Sequence, residues 1–146
     1  MMVMRKADSG DRAGLIDFIK EAGLSTDAVH NLSTDYFLLE DVEKKIIATI
    51  GIERFGEIGL LRSFVFSPGF TPNKIPAFLQ QTLLIAHQNG ISRLFLASHH
   101  SNSRALFQAI GFESFEKDQL PEDILSSTHV ASLNDHENIF FMGITL

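Results

Sequence analysis

The 146-residue sequence predicts an α+β fold, a central mixed and mostly antiparallel sheet with flanking helices. Three observations carry that expectation. Three runs with strand chemistry, Tyr36–Leu39, Ile46–Ile52 and Glu57–Phe66, follow one another through short turns, the spacing of an antiparallel meander. A helix-period stretch then runs from Ile75 to Gly90, and the apolar run Ser92–Ala97 follows it, giving a strand–helix–strand unit with a parallel pair. A last strand, Ile139–Leu146, closes the chain. A single domain over residues 1–146 is expected to hold these elements around a core.

The chain opens on Met2–Lys6, a short apolar run that reads as a strand. Asp8 or Ser9 then caps a helix and Asp11 adds negative charge to its first turn, where N–H groups lack partners. Leu15, Phe18, Ile19 and Ala22 form the buried stripe of that helix, and Gly23 ends it. A second helical piece is expected over Asp27–Leu32. Glu40–Lys44 reads as a solvated hairpin tip, and Arg54–Phe55–Gly56 as the next turn. Ile46, Ala48, Ile50 and Ile52 alternate with Ile47, Thr49 and Gly51, as in a strand buried on both faces. Ser67, Pro68 and Gly69 stop the following strand, since proline brings no N–H to a ladder. In the long helix Ile75, Phe78, Leu79, Leu83 and Ala86 share one face, and Gly90 supplies a left-handed cap. Beyond it lie a helix from Arg104 to Ile110 closed by Gly111, and a strand at Phe112–Phe115. A helical turn or two is expected over Asp118–Ser126, with Pro121 at the first helical position.

Composition narrows the function. A net charge of −6 argues against nucleic-acid binding, which needs a basic footprint. With no cysteine there are no disulfides, thiolate metal sites or thiol nucleophiles, in keeping with a cytoplasmic protein. No apolar run reaches the length of a membrane helix and the start has no signal-peptide core, so no membrane partner is expected. His99 and His100 are adjacent, and His30, His87, His129 and His136 form no ligand pattern. No metal is expected, and the pair reads as solvent-exposed or as a proton carrier.

The stretch Glu57–Gly90 resembles motif A of the GNAT superfamily of N-acetyltransferases, where a strand ending in V-x-P leads through an Arg/Gln-x-x-Gly-x-Gly/Ala loop into a helix. Val65–Phe66–Ser67–Pro68 is similar to that strand end, whereas Thr71, Lys74 and Pro76 replace the Arg/Gln and the two glycines. Asn102–Phe112 (NSRALFQAIGF) resembles a second family pattern through Asn102, Ala105, Gly111 and Phe112, with Phe107 in place of the usual tyrosine. Glu21–Leu24, Gly59–Ser63, Pro121–Ile124 and Ala131–Leu133 are similar to the arsenic-resistance-associated branch of the superfamily. The resemblance implies a GNAT-like (acyl-CoA N-acyltransferase) fold, acetyl-CoA as co-substrate and a small-molecule amine as acceptor. It leaves homodimerisation open.

The same resemblance places the pantetheine arm along the backbone of Phe64, Val65 and Phe66. It places the diphosphate at Asn73, Lys74, Ile75 and Ala77, with Asn102 also on the cofactor and Ser63 beside the acceptor. Helix N-termini suit anions, but Pro72 and Pro76 bring no N–H to the loop, and Lys74 has a Cβ that disfavours left-handed backbone. Glu53 is the candidate general base, and Glu57 reads as an exposed turn residue. Arg62 falls among apolar neighbours, where a guanidinium needs a carboxylate partner. That partner is either an acidic group on the acceptor or a protein carboxylate such as Glu53. Asn102 has a second reading as a residue at or just ahead of a helix N-cap, and Tyr36, the only tyrosine, as structural or substrate-lining. Three functions follow: an N-acetyltransferase acting on a small, acidic, amino-acid-like amine, a GNAT-fold binding or regulatory module that has lost ordinary acetyl-CoA binding, or a GNAT enzyme with a different acyl donor or a reshaped phosphate grip involving Lys74.

Overall fold

The computed structural model describes residues 3–30, 34–133 and 138–146. Seven strands form one mixed sheet: β1 (Val3–Lys6), β2 (Thr34–Glu40), β3 (Ile46–Phe55), β4 (Ile58–Phe66), β5 (Arg93–Ser98), β6 (Glu113–Phe115) and β7 (Phe140–Thr145). Their order is β1-β2-β3-β4-β5-β7-β6, and the helices are α1 (Arg12–Glu21), α2 (Ile75–Gln88), α3 (Arg104–Ile110), α4 (Glu122–Leu125) and α5 (Thr128–Leu133). The expected α+β architecture is the one observed. β1 and β2 pair antiparallel, as do β2 and β3, while β4 and β5 are the parallel pair joined through α2. Met2 and Leu32, expected in a strand and a helical piece, and His136 lie outside the described residues.

The elements group into two compact units. The first holds Leu61–Phe78 and the chain up to Arg54; the second holds Phe55–Leu60 and Leu79–Leu146. In the first, Leu15 and Ile19 of α1 pack with Ala28, Tyr36 and Leu38. Full burial of a Leu or Ile side chain contributes about 1.5–3 kcal/mol, so these residues hold α1 on the sheet. The rest of the predicted stripe differs: Phe18 is half-buried, and Ala22 lies past the end of the helix and is exposed. Asp8 caps a 3-10 turn (Ser9–Asp11) ahead of α1, and Asp11 turns its carboxylate to Arg5. Glu40, expected at a solvated tip, also takes Arg5, and Asp41 closes the turn by accepting from the N–H groups of Glu43 and Lys45.

In the second unit the core is Leu60, Phe95, Ala97, Leu120, Ile124, Val130 and Phe141. Along α2, Ile75, Phe78, Leu79 and Ala86 are buried as the period predicts, Thr82 joins them, and Leu83 is only half-buried. Gly90 has φ 85°, and the Ile91 N–H reaches back to the Ala86 carbonyl, which is the expected left-handed cap. Pro121 is the N-cap of α4 rather than its first helical residue. The cause is its ψ of 147°, extended backbone that cannot belong to a helix.

Candidate functional site

Three neighbouring strands assemble the polar centre of the first unit. The β2–β3 register sets Tyr36 opposite Gly51 and Thr34 opposite Glu53, and β4 follows β3 in the sheet. Arg62 donates from Nη1 to Glu53 Oε1 at 2.9 Å, with side chains 7% and 8% exposed. Of the two partners expected for Arg62, the protein carboxylate is therefore present. Neither charge could be desolvated alone at reasonable cost, which is why the two are buried together. Arg62 Nε is also buried and has no hydrogen-bond partner among the described residues.

The next residue is strained. Among the described residues Lys44, Ser63 and Asn138 have positive φ without being glycine, and of these only Ser63, at 53°, lies within a strand. Such a conformation costs of order 1–3 kcal/mol and persists only where surrounding structure enforces it. In β4, Gly59, Leu60, Leu61 and Arg62 are all buried, and Ser63 and Phe64 are both half-buried. Ser63 Oγ lies 3.1 Å from Tyr36 Oη. The phenol ring has its own seat, because a Cβ on Gly51 would stand 2.9 Å from Tyr36 Cε1. Burial pushes the Tyr36 phenol above its ordinary value; the Ser63 hydrogen bond and Arg62 oppose this, and Glu53 adds to it. The phenol is thus neutral and holds its proton at physiological pH. Sequence reasoning left this pair unnoticed. Gly51, a glycine inside an otherwise β-branched strand, is the signal for close approach of another group.

Beyond Ser63 the strand carries an aromatic cluster. Phe64 stacks on Phe78 with centroids 6.1 Å apart and meets Phe66 edge-on at 5.6 Å. Val65 is core, and Phe66 is 42% exposed. After Pro68 the chain makes a 3-10 turn, Pro72–Lys74, that runs directly into α2. The Lys74 N–H goes to the Thr71 carbonyl and the Ile75 N–H to the Pro72 carbonyl. With no N–H on Pro72 or Pro76, a run of converging N–H groups cannot form across 72–76. Asn73, Lys74 and Ala77 are exposed around this turn, whereas Ile75 is buried. A cavity of about 220 Å³ opens beside β2, lined by Asp8, Arg12, His30, Thr34, Asp35 and Tyr36 among others.

In the second unit the parallel register pairs Ile58, Gly59 and Leu60 with Arg93, Leu94 and Phe95. It ends there, although β4 runs on to Phe66 and β5 to Ser98. Asn102 is exposed in a 3-10 turn, Ser101–Ser103, just ahead of Ser103, the N-cap of α3. Phe107 is buried edge-on against Phe112, a packing role in place of a hydroxyl. Glu57 is exposed, and its carbonyl accepts the Ser92 N–H at 2.8 Å. The His99 and His100 rings are 4.2 Å apart. Among the described residues no three His, Asp or Glu converge as metal ligands, and no helix is long and apolar enough to cross a membrane.

The fold, with its seven-stranded mixed sheet and β4–α2–β5 unit, is that of the GNAT acetyltransferases. A GNAT-family acetyltransferase from Staphylococcus aureus Mu50 superposes with a TM-score of 0.77 at 16% identity, covering 100% of this chain and 99% of that one. N-acetylglutamate synthase from Neisseria gonorrhoeae, solved with coenzyme A and N-acetyl-glutamate, also gives 0.77, at 22% identity. It is covered over 35% of its own length and over 100% of this chain. No model of a known protein family matches the sequence. The chain belongs to the family of the uncharacterized protein YwlB of Bacillus subtilis (strain 168), with 31% identity over 140 residues, 95% of this chain and 94% of YwlB.

Proposed function

We propose that residues 1–146 act as one domain, a cytoplasmic N-acetyltransferase that moves an acetyl group from acetyl-CoA to the primary amine of a small, acidic, amino-acid-like molecule. The observation that carries this reading is β4, whose parallel register ends at Leu60 and whose next residues include a buried Arg62 and a left-handed Ser63. Backbone along Phe64–Phe66 takes the pantetheine arm, and Glu53 accepts the proton of the attacking amine. Arg62 Nε, buried without a partner among the described residues, favours an acceptor carboxylate or phosphonate, since an unmade charged hydrogen bond is costly. The N-acetylglutamate synthase, solved with coenzyme A and N-acetyl-glutamate, supports the same substrate class. Glu21–Leu24 and Gly59–Ser63 support placement in the arsenic-resistance-associated branch.

The diphosphate is held differently from the usual loop. Lys74, exposed at the head of α2, meets it as a point charge in place of the missing glycine cradle, and Asn73 and Ala77 border it. A second reading, a binding or regulatory module without acetyl-CoA, draws on the same proline-framed turn and on Phe107. Calorimetric titration of the protein with acetyl-CoA separates the two. Saturable binding, followed by thiol release with an acidic amine from a panel, supports the enzyme. Heat-silent mixing that persists at millimolar donor supports the module.

A further inference from the structure

We propose that the second unit holds a binding site for a small zwitterion with an aliphatic body, built on β5, β7 and β6. A cavity of about 220 Å³ opens there, lined by Arg93, Phe95, Glu113, Phe115, Gly143 and Thr145 among others. It is the space that about seven waters fill in the liquid, the size of a single amino acid. Directly opposite residues of neighbouring strands share a sheet face. The register sets Arg93 opposite Thr145, and both Phe95 and Glu113 opposite Gly143. Arg93 and Glu113 therefore stand on one face, on strands separated by β7, two strand spacings or about 10 Å apart.

The walls of the cavity carry opposite charges that do not meet. Arg93 is half-buried with its guanidinium carbon 4.8 Å from the Phe95 centroid, so the ring seats the cation. Stacking uses the flat face of a guanidinium and leaves its N–H edge for an acceptor. Among the described residues neither Arg93 nor the exposed Glu113 has a salt-bridge partner. Between them the floor is apolar. A Cβ on Gly143 would stand 2.8 Å from Phe95 and 2.9 Å from Phe115, so the missing side chain lets the two rings lean together, centroids 5.6 Å apart. A ligand carboxylate on Arg93 and a ligand ammonium by Glu113, joined across the rings by a short hydrocarbon, complete this arrangement. A lone anion would meet Glu113 and a lone cation Arg93, so either is disfavoured. The site shares no residue with the polar centre of the first unit or with the acetyl-CoA reading, and it stands whether or not the chain transfers acetyl groups.

The test titrates the full chain by calorimetry, without acetyl-CoA, as wild type, Arg93→Gln and Glu113→Lys. The probes are L-leucine, 5-aminopentanoate, pentanoate, pentylamine and glutarate. At least one of the two zwitterions should bind saturably, with pentanoate and pentylamine at least about tenfold weaker, the loss of one charge-assisted contact each. Tighter L-leucine assigns the site to α-amino acids, and tighter 5-aminopentanoate to amino acids with separated charges. Arg93→Gln should weaken the zwitterion at least about tenfold. Glu113→Lys should weaken it too and make glutarate the preferred ligand, since both walls are then cationic. No saturable heat from either zwitterion up to about 10 mM, single-charge probes that bind as tightly, or zwitterion binding that neither substitution weakens each overturn the proposal. If Arg93→Gln does not fold, Glu113→Lys decides alone: an unreversed preference overturns it.

Discussion

Arg5 on β1 and Arg62 on β4 are held under opposite conditions. Arg5 is 35% exposed and spends every nitrogen: both Nη atoms on Asp11 at 2.6 and 2.7 Å, and Nε on Glu40 at 2.7 Å. Those two carboxylates raise its own pKa further, and its guanidinium holds the Asp11 carboxyl down at about 2. Arg62 is 7% exposed and is bonded to Glu53, and among the described residues its Nε is unmet. A cation satisfied at the surface is scaffold, worth little beyond geometry. A buried cation with an unspent donor is costly to keep.

The sharpest way to break this contrast is Arg62→Leu, which strands Glu53 in the interior. It should cost about 3–5 kcal/mol in denaturant unfolding. The double variant with Glu53→Gln should recover at least half, and no recovery would mean that the ion pair is not the source. Where folded protein remains, acidic acceptors should lose affinity and neutral amines should not. Next in size, Gly51→Ala drives a methyl against the Tyr36 ring and should cost about 1–3 kcal/mol; an unchanged melting temperature would show that the ring has room. Lys74→Ala should raise the Kd for acetyl-CoA about tenfold, the loss of one charge-assisted contact, and titration calorimetry reads it directly.

The smallest effect is at Arg5. Its pairing lowers the pKa of Asp11 below the unfolded value, so the stabilisation is complete above about pH 4 and fades as pH falls toward 2. Asp11→Asn should therefore cost about 1 kcal/mol near neutrality, after allowance for solvent screening. The gap from wild type should close between pH 4 and pH 2 in acid-unfolding curves. A constant gap would assign the loss to the Asp8–Asp11 capping box instead.

What the sequence made legible followed local physics. The alternation of β3, the caps at Gly90 and Gly111, and the V-x-x-P strand end all depend on near neighbours, and each is found as expected. What it hid depends on register. Glu53 is one of the two partners expected for Arg62, but only the register selects it, and nothing local shows that Tyr36 faces Gly51 across β2 and β3. The bend at Ser63 is invisible too, since serine has no strong preference for left-handed backbone. Helix α5, with only Val130 buried, has too short an apolar pattern to announce itself.

Among the described residues the outermost strands of the sheet, β1 and β6, span four and three residues. Short rims carry few exposed ladder groups onto which a stray chain could dock. Self-association by lateral strand addition is therefore disfavoured, and crowding this protein at high concentration should not seed fibrous growth.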